Sequence, residues 1–213
     1  ISGLPSLTKR NCPFTVISGL WIIFEVMRII GGRLKGKTIV PPNGYGARPT
    51  TDFAKEGLFN ILDNEYEFEG LSVLDLFGGT GSISFEFSSR GASDIVCVEM
   101  NPAHASFIRT QARRLGIENV SVVRHNVFDF LKICEKKFDM VFADPPYAID
   151  GLDTIPSQVF ASGVVRPGGY FILEHPGTFS FRDMPYFVKE RKYGNVHFSF
   201  FASPDEGQES VSE

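Results

Sequence analysis

Five short apolar runs alternate with helical segments from residue 71 onward. The runs are nearly continuous stretches of buried-type residues, whereas the segments between them carry apolar residues at three- and four-residue spacing. The predicted strands, first to fifth, are residues 71–77, 94–100, 120–125, 138–144 and 169–175. The predicted helices are residues 82–90, 102–115, 127–134 and a segment near 152–161. Strands without a polar face, separated by helices, predict a parallel sheet covered on both sides.

The two flanks of this region have other patterns. Residues 28–40 form two short β runs around glycines, residues 41–49 are rich in turn formers, and Thr50 or Thr51 can cap a helix after them. Residues 186–202 change to strand, turn and strand. We therefore predict an α/β fold with a doubly wound, mostly parallel seven-stranded sheet that ends in an antiparallel C-terminal hairpin. A small N-terminal β-hairpin and helix form an appendage to it.

The first 26 residues lack any pattern that matches this fold. The apolar stretch at 16–26 is interrupted by Ser18 and Gly19, and it is shorter than the roughly 20 residues that a membrane-spanning helix needs. We expect residues 1–26 to be an extension outside the native fold. Residues 27–66 are then the appendage, residues 67–203 the main domain and residues 204–213 an acidic tail.

Composition restricts the class of protein. Of the 213 residues, 43% are hydrophobic and 22% are charged, which is typical of a globular protein. The three cysteines (Cys12, Cys97 and Cys134) have no paired spacing for zinc and are odd in number, so we expect reduced thiols and a cytoplasmic location. We expect a monomer that uses no metal and does not associate with a membrane.

A glycine-rich turn follows the first predicted strand, in the sequence Asp75-Leu-Phe-Gly-Gly-Thr-Gly81. Gly79 and Gly81 allow a sharp bend and a close approach to a ligand, although such a pair alone is a weak signal. A dinucleotide-binding fingerprint requires a third glycine where this chain has Ser84. The missing glycine and Asp75 favour S-adenosylmethionine, which has no pyrophosphate and carries an ammonium group.

Two polar residues follow the next strands. Glu99 ends the second strand, where a carboxylate can accept hydrogen bonds from both ribose hydroxyls; the alternative is a favourable charge at the start of the next helix. Asn126 follows the third strand and can bond the adenine edge or cap a helix. The predicted cofactor-binding residues are Asp75, Phe77, Gly78, Gly79, Gly81, Glu99, Met100 and Asn126.

The sequence Asp144-Pro145-Pro146-Tyr147 follows the fourth strand. An exocyclic base amine is a poor nucleophile because its lone pair is delocalised into the ring. A carboxylate and the Pro145 carbonyl can accept its two N–H bonds and free that lone pair, and Tyr147 can stack on the base, worth roughly 1–3 kcal/mol. In a strand order 3-2-1-4-5, strands one and four are neighbours about 4.8 Å apart. We therefore expect this catalytic sequence and the glycine turn to converge on one site.

Basic residues cluster near the N-terminus although the net charge is −4. No acidic residue lies between residues 28 and 48, and the flexible glycine-rich backbone could let the basic side chains follow RNA phosphates. The alternative is a solvated hairpin without a ligand. The predicted RNA-binding residues are Arg28, Arg33, Lys35, Lys37 and Arg48.

The motifs taken together resemble the RsmD-type enzymes, the bacterial 16S ribosomal RNA guanine-N2 methyltransferases. MRIIGGRLKGK, RPTTDFAKEGLFN, LDLFGGTGS, VEMN and DPPY occur in the order seen in that family, over residues 27 to about 202. The resemblance implies a Rossmann-like class I methyltransferase fold, S-adenosylmethionine as cofactor, and methylation of one guanine in the 16S RNA of a small-subunit (30S) particle.

Three other functions remain open from the sequence. An adenine-N6 methyltransferase acting on DNA or RNA would use the same catalytic sequence, but no DNA-recognition domain is evident. A non-catalytic RNA-binding protein of ribosome assembly would not need Asp144, Tyr147 and Glu99 together. A nicotinamide-dependent oxidoreductase is disfavoured by Ser84.

Overall fold

A seven-stranded sheet with helices on both faces organises the chain. The computed structural model describes residues 14–17, 20–23, 26–42, 45 and 52–205. The strands of the sheet are β5 (Ser72–Asp75), β6 (Asp94–Val98), β7 (Val120–Val123), β8 (Phe138–Ala143), β9 (Val165–Pro176), β10 (Phe187–Tyr193) and β11 (Val196–Ala202). The helices are α1 (Asp52–Glu65), α2 (Ser82–Arg90), α3 (Pro102–Leu115), α4 (Val127–Ile133) and α5 (Ile155–Ala161). Four shorter strands precede α1: β1 (Phe14–Ile17), β2 (Leu20–Ile23), β3 (Met27–Arg28) and β4 (Thr38–Ile39).

The spatial order of the strands is β10-β11-β9-β8-β5-β6-β7. Strands β5 to β9 pair in parallel, whereas β11 is antiparallel to both β9 and β10. In chain order the parallel strands read 3-2-1-4-5, so the predicted order, the antiparallel C-terminal hairpin and the Rossmann-like class I architecture are confirmed. Helix α4 ends one residue earlier than predicted, and a 3₁₀ turn over Leu152–Thr154 precedes α5.

Two apolar cores cover the two faces of the sheet. Neighbouring strand residues alternate between them: Leu74 and Val141 belong to one core, and Val73 and Met140 belong to the other. This alternation explains why the parallel strands have no polar face in the sequence, since each successive side chain enters one core or the other.

The N-terminal hairpin packs on the sheet domain. Strands β3 and β4 are only two residues long each, because a 3₁₀ turn over Gly32–Leu34 takes up much of the segment. Gly32 has φ +67°, and a Cβ there would lie 1.8 Å from the carbonyl oxygen of Ser89, so only glycine allows this approach. Apolar side chains of the hairpin, including Met27 and Leu34, share a third core with α2 and α3.

Polar contacts anchor the same hairpin to α1 and α2. The buried carboxylate of Glu86 accepts hydrogen bonds from the backbone N–H groups of Ile30 (2.9 Å) and Gly31 (2.7 Å). The Leu34 N–H donates to the Ser89 hydroxyl at 2.9 Å. Buried Lys55 donates to the Arg28 carbonyl at 2.6 Å, and its burial lowers its pKa. The hairpin is therefore held at its backbone, which differs from the flexible arm expected from its glycines.

Several sequence predictions concern the ends of the chain. Strands β1 and β2 pair with each other as a separate antiparallel ribbon, and the place of residues 1–26 in the native fold stays a prediction. Arg48, Cys12, Thr50 and Thr51 and most of the acidic tail lie outside the described residues. Within the described residues, no helix combines the length and apolar character needed to cross a bilayer.

Candidate active site

One pocket of about 590 Å³ opens at the carboxyl ends of the parallel strands. Its volume lies within the usual range of ligand sites, roughly 300–1,000 Å³. The reversal of strand order between β5 and β8 sends the connecting helices to opposite faces, which leaves a crevice here. The walls come from the glycine turn, the ends of β6 and β9, the start of α4 and the loop after β8. Among the lining residues are Phe77, Gly78, Gly79, Glu99, Met100, Asn126, Asp144, Pro145, Pro146, Tyr147 and Glu174.

The glycine turn packs tightly against the end of β6. Gly78 donates its N–H to the Val98 carbonyl at 2.8 Å, and a Cβ at Gly78 would lie 2.5 Å from the sulfur of Cys97. Cys97 is fully buried, and burial raises the pKa of its thiol. Gly79 has φ +52°, a conformation that favours glycine. Glycine at these two positions leaves backbone, without side chains, facing the pocket.

Asp75 and Gly81 lie behind the turn and do not line the pocket. Asp75 is 1% exposed and accepts a hydrogen bond of 2.6 Å from the Ser84 hydroxyl. Burial raises the pKa of Asp75 to about 7 even though that bond opposes the rise. Gly81, with φ +78°, begins α2 and packs on Phe85. Ser84, which argued against a dinucleotide fingerprint, thus binds the buried carboxyl group.

Glu99 connects the glycine turn to the start of α3. One carboxylate oxygen accepts the Gly79 N–H at 2.8 Å, and the other accepts the Asn101 N–H at 2.7 Å. The side chain is 11% exposed and borders the pocket. Each carboxylate oxygen has a second lone pair, so both can also accept a ligand hydroxyl. The ribose role and the helix-start role predicted for Glu99 are therefore compatible.

Asn126 caps α4, as one of the two sequence interpretations proposed. Its side-chain oxygen accepts the N–H groups of Phe128 (2.9 Å) and Asp129 (3.3 Å). Its amide nitrogen lies 3.8 Å from the sulfur of Met100. Asn126, Met100 and Phe128 line one end of the pocket, where apolar walls and an amide suit an adenine ring.

The sequence Asp144-Pro145-Pro146-Tyr147 forms the facing wall. Asp75 on β5 pairs with Phe142 on β8, so the glycine turn and residues 144–147 leave neighbouring strands at the same level. Asp144 is half-buried, and Tyr147 is 38% exposed. Residues of both motifs line the same pocket, as predicted.

Glu174 is a pocket residue that the sequence analysis missed. It lies on β9, is 3% exposed and accepts a 3.1 Å hydrogen bond from the Tyr147 hydroxyl. The register pairs Ala143 with Leu173, which sets Glu174 beside Asp144 on the adjacent strand. A glutamate in the apolar run at 169–175 was the available signal, because the same reasoning had selected Glu99.

Tyr45 and His104 are two further contacts that the sequence did not indicate. The Tyr45 hydroxyl donates to the Gly79 carbonyl at 3.0 Å, and its ring stacks on His104 with centroids 4.0 Å apart. His104 Nε2 donates to the Tyr45 carbonyl at 2.8 Å. Burial and nearby Glu99 raise the pKa of Tyr45. This tyrosine therefore covers the outer side of the glycine turn.

The groups that line the pocket fit S-adenosylmethionine. Bare glycine backbone, a carboxylate that can accept hydroxyls and an apolar slot with an amide would suit its amino-acid, ribose and adenine parts in turn. Among the described residues there is no group of three or more His, Cys, Asp or Glu side chains that could hold a metal ion.

Comparison with known proteins shows the family to which the chain belongs. The family model described as conserved hypothetical protein 95 matches residues 27–202. The chain belongs to this family, the RsmD family. A ribosomal RNA small subunit methyltransferase D of Buchnera aphidicola is 29% identical over 82% of this chain and 91% of its own length. The Haemophilus influenzae protein of the same name is 31% identical over 70% of this chain and 78% of its own.

A solved structure supports the fold of this RsmD-family chain. The candidate methyltransferase yhhF of Escherichia coli superimposes with a TM-score of 0.73 and 26% identity. The match covers 85% of this chain and 99% of that one. The family model spans both the N-terminal hairpin and the sheet, from residue 27 to residue 202.

Glu99→Ala tests the predicted cofactor contact. Alanine removes the acceptor for Gly79 and Asn101 together with the predicted bonds to ribose, each worth about 1.5–3 kcal/mol for a charged group. Isothermal titration should show S-adenosylmethionine binding weakened by about 100-fold or more. Glu118→Ala, at an exposed glutamate before β7, is the matched control and should bind normally. Unchanged affinity in Glu99→Ala would remove Glu99 from the cofactor site.

Proposed function

We propose that this chain transfers a methyl group from S-adenosylmethionine to the exocyclic N2 of a guanine in 16S ribosomal RNA, within the small-subunit particle. The observation that carries the proposal is the shared pocket of the glycine turn and Asp144-Pro145-Pro146-Tyr147. The names of the Buchnera and Haemophilus relatives support the class of RNA and the type of reaction.

The pocket residues have distinct tasks in this reaction. The bound cofactor supplies an electrophilic methyl group on a sulfonium. Asp144 accepts one N–H of the target amine and the Pro145 carbonyl accepts the other, so that the nitrogen lone pair is directed at the methyl group. Tyr147 offers an exposed ring face on which a base taken out of its stack can rest. Holding both reactants in line can lower the barrier by about 7–11 kcal/mol.

The N-terminal hairpin supports the choice of RNA as partner. Arg33, Lys35 and Lys37 are exposed on the turn of a hairpin whose backbone is fixed on α2. Arg28 is also exposed, although it lies 3.4 Å from Asp52. A basic surface fixed on the same domain can position a folded RNA through its phosphates.

The nature of the product tests this proposal. Purified protein is incubated with labelled S-adenosylmethionine and either free 16S RNA or 30S particles that have not been methylated by the enzyme. We expect nucleoside mass spectrometry to detect N2-methylguanosine, with more product from particles than from free RNA. N6-methyladenosine in its place would support the adenine-N6 alternative. Cofactor binding without any methylated nucleoside would support a non-catalytic protein.

Charge reversal in the hairpin tests RNA binding separately. Each neutralised phosphate contributes about 0.7–0.9 to the slope of log affinity against log salt, so changing Arg33, Lys35 and Lys37 to Glu should flatten that slope by about 2–3. Affinity for S-adenosylmethionine should not change. A control reverses Lys132, Lys136 and Lys137, which lie in the last turn of α4 and just before β8. Equal RNA affinity and equal slopes for the two triple variants would contradict the proposed surface.

A further inference from the structure

We propose that Glu174 selects guanine at this site by accepting a hydrogen bond from the N1–H of the base. The inference rests on the proposed function, because it names the residue that distinguishes guanine from other bases carrying an exocyclic amine. Asp144 and the Pro145 carbonyl can hold the amine of any such base. The choice among bases therefore requires a further group beside them.

The fold sets the Glu174 carboxylate in the required place. Asp144 continues β8 and Glu174 lies on β9, side by side on neighbouring parallel strands, and both line the pocket. On its other side, Glu174 faces Phe198 of β11, and Val196 at the start of that strand also lines the pocket. Two carboxylates on neighbouring strands thus line the same pocket, and Pro145 lines it beside them.

Burial makes this carboxylate selective. Glu174 is 3% exposed, so a base that sets an acceptor against this carboxylate costs far more here than at the surface. The Tyr147 hydroxyl already donates to its Oε1 atom at 3.1 Å. A carboxylate only accepts hydrogen bonds, so the base edge that meets it must present a donor.

Guanine is the base whose edge meets this requirement. Next to the C2 amine of guanine lies N1–H, a donor, so the edge presents two donor groups in a row. Next to the amine of adenine lies N1, and next to that of cytosine lies N3, and both nitrogens are acceptors. With the amine held at Asp144, guanine would thus bond to Glu174, whereas adenine and cytosine would place a lone pair against its charge. Sites built to bond a particular group reject analogues that lack it.

A binding experiment with nucleosides isolates this contact. Guanosine, inosine, 2-aminopurine riboside and adenosine are titrated by ligand-observed NMR against the protein saturated with S-adenosylhomocysteine. Inosine keeps N1–H but lacks the amine, whereas 2-aminopurine riboside keeps the amine and has an acceptor at N1. We expect 2-aminopurine riboside to bind wild type about 10- to 100-fold more weakly than guanosine. Equal affinity of these two nucleosides for wild type overturns the proposal even if no variant folds.

Two variants separate direct contact from an indirect effect through Tyr147. Glu174→Gln has nearly the same shape and can turn an amide N–H towards an acceptor at N1, so the preference for guanosine over 2-aminopurine riboside should fall to about threefold or less. Tyr147→Phe removes only the hydroxyl that bonds Glu174 and should keep the preference. A preserved preference in Glu174→Gln overturns the proposal. Loss of the preference in Tyr147→Phe overturns it as well, because Glu174 would then act by holding the tyrosine.

The same variants are also assayed with 30S particles as the substrate, so that the test of Glu174 does not depend on nucleoside affinity. The kcat/KM for N2-methylguanosine formation should be lower in Glu174→Gln than in Tyr147→Phe, by about tenfold or more. Equal values would overturn the role of Glu174. If wild type instead prefers adenosine and yields N6-methyladenosine, the proposed function itself fails. Wild type that methylates guanine with Glu174→Gln unimpaired refutes only the present inference.

Discussion

Asp144→Ala is expected to lower the rate of methyl transfer about 1,000-fold while changing S-adenosylmethionine affinity only a few-fold. Removing one preorganised polar group from an active site typically costs 10²–10³ in rate, and Asp144 is proposed to hold the reacting amine itself. Asp144 is half-buried at the end of β8, and the hydrogen bond between Gly79 and Glu99 does not involve it.

Single-turnover rates with saturating cofactor and 30S particles measure this effect. Asp150→Ala is the matched control, since Asp150 is an exposed aspartate in the same loop, and it should react at close to the wild-type rate. Asp144→Asn keeps one acceptor oxygen, and its rate should lie between the rates of Asp144→Ala and Asp150→Ala. Turnover of Asp144→Ala within tenfold of wild type would contradict the role assigned to this carboxylate.

Glu86→Ala is expected to destabilise the protein by about 3–5 kcal/mol, the usual cost of removing one partner from a buried charged pair. Glu86 is fully buried, and its carboxylate accepts the N–H groups of Ile30 and Gly31 and the Arg90 Nε–H at 3.0 Å. Alanine leaves these donors without their acceptor at the contact between the hairpin and α2.

Denaturant unfolding and calorimetry measure this loss, which corresponds to a Tm lower by about 10 °C for a chain of this length. Glu56→Ala, at an exposed position on α1, is the control and should change stability by less than about 0.5 kcal/mol. Glu86→Gln should be intermediate, since the amide oxygen can accept some of the same bonds. A loss below 1 kcal/mol in Glu86→Ala would show that the apolar contacts alone hold the hairpin.

The arrangement of the sheet could be predicted because it depends on patterns repeated along the chain. Each parallel strand must bury side chains on both faces, so continuous apolar runs identify β5, β6 and β8 without knowledge of their neighbours. Right-handed crossovers then restrict the order of the strands, and that order brings Asp144 next to the glycine turn. Glu99 and Tyr147 could be selected because polar or aromatic residues at strand ends stand out against these runs.

Contacts between distant segments could not be predicted in the same way. The glycines of the hairpin suggested a flexible backbone, but glycine can serve close packing as well as mobility. Gly32 approaches the Ser89 carbonyl, and Glu86 bonds a backbone that lies 55 and 56 positions earlier in the chain. The sequence could not decide between the two roles considered for Asn126. Its amide caps a helix with the oxygen, and the same residue borders the pocket.

By itself, the sequence of this protein determined the kind of sheet, the order of its parallel strands and the two motifs that meet at their carboxyl ends. These features follow from local periodicity and from the few ways in which covered parallel strands can be connected. Only the tertiary structure decided that Glu174 joins Asp144 in the pocket and that the basic hairpin is fixed on α2. The register of β9 against β8 and the docking of the hairpin on α2 result from packing between segments that are far apart in the sequence. No local sequence pattern indicates such packing.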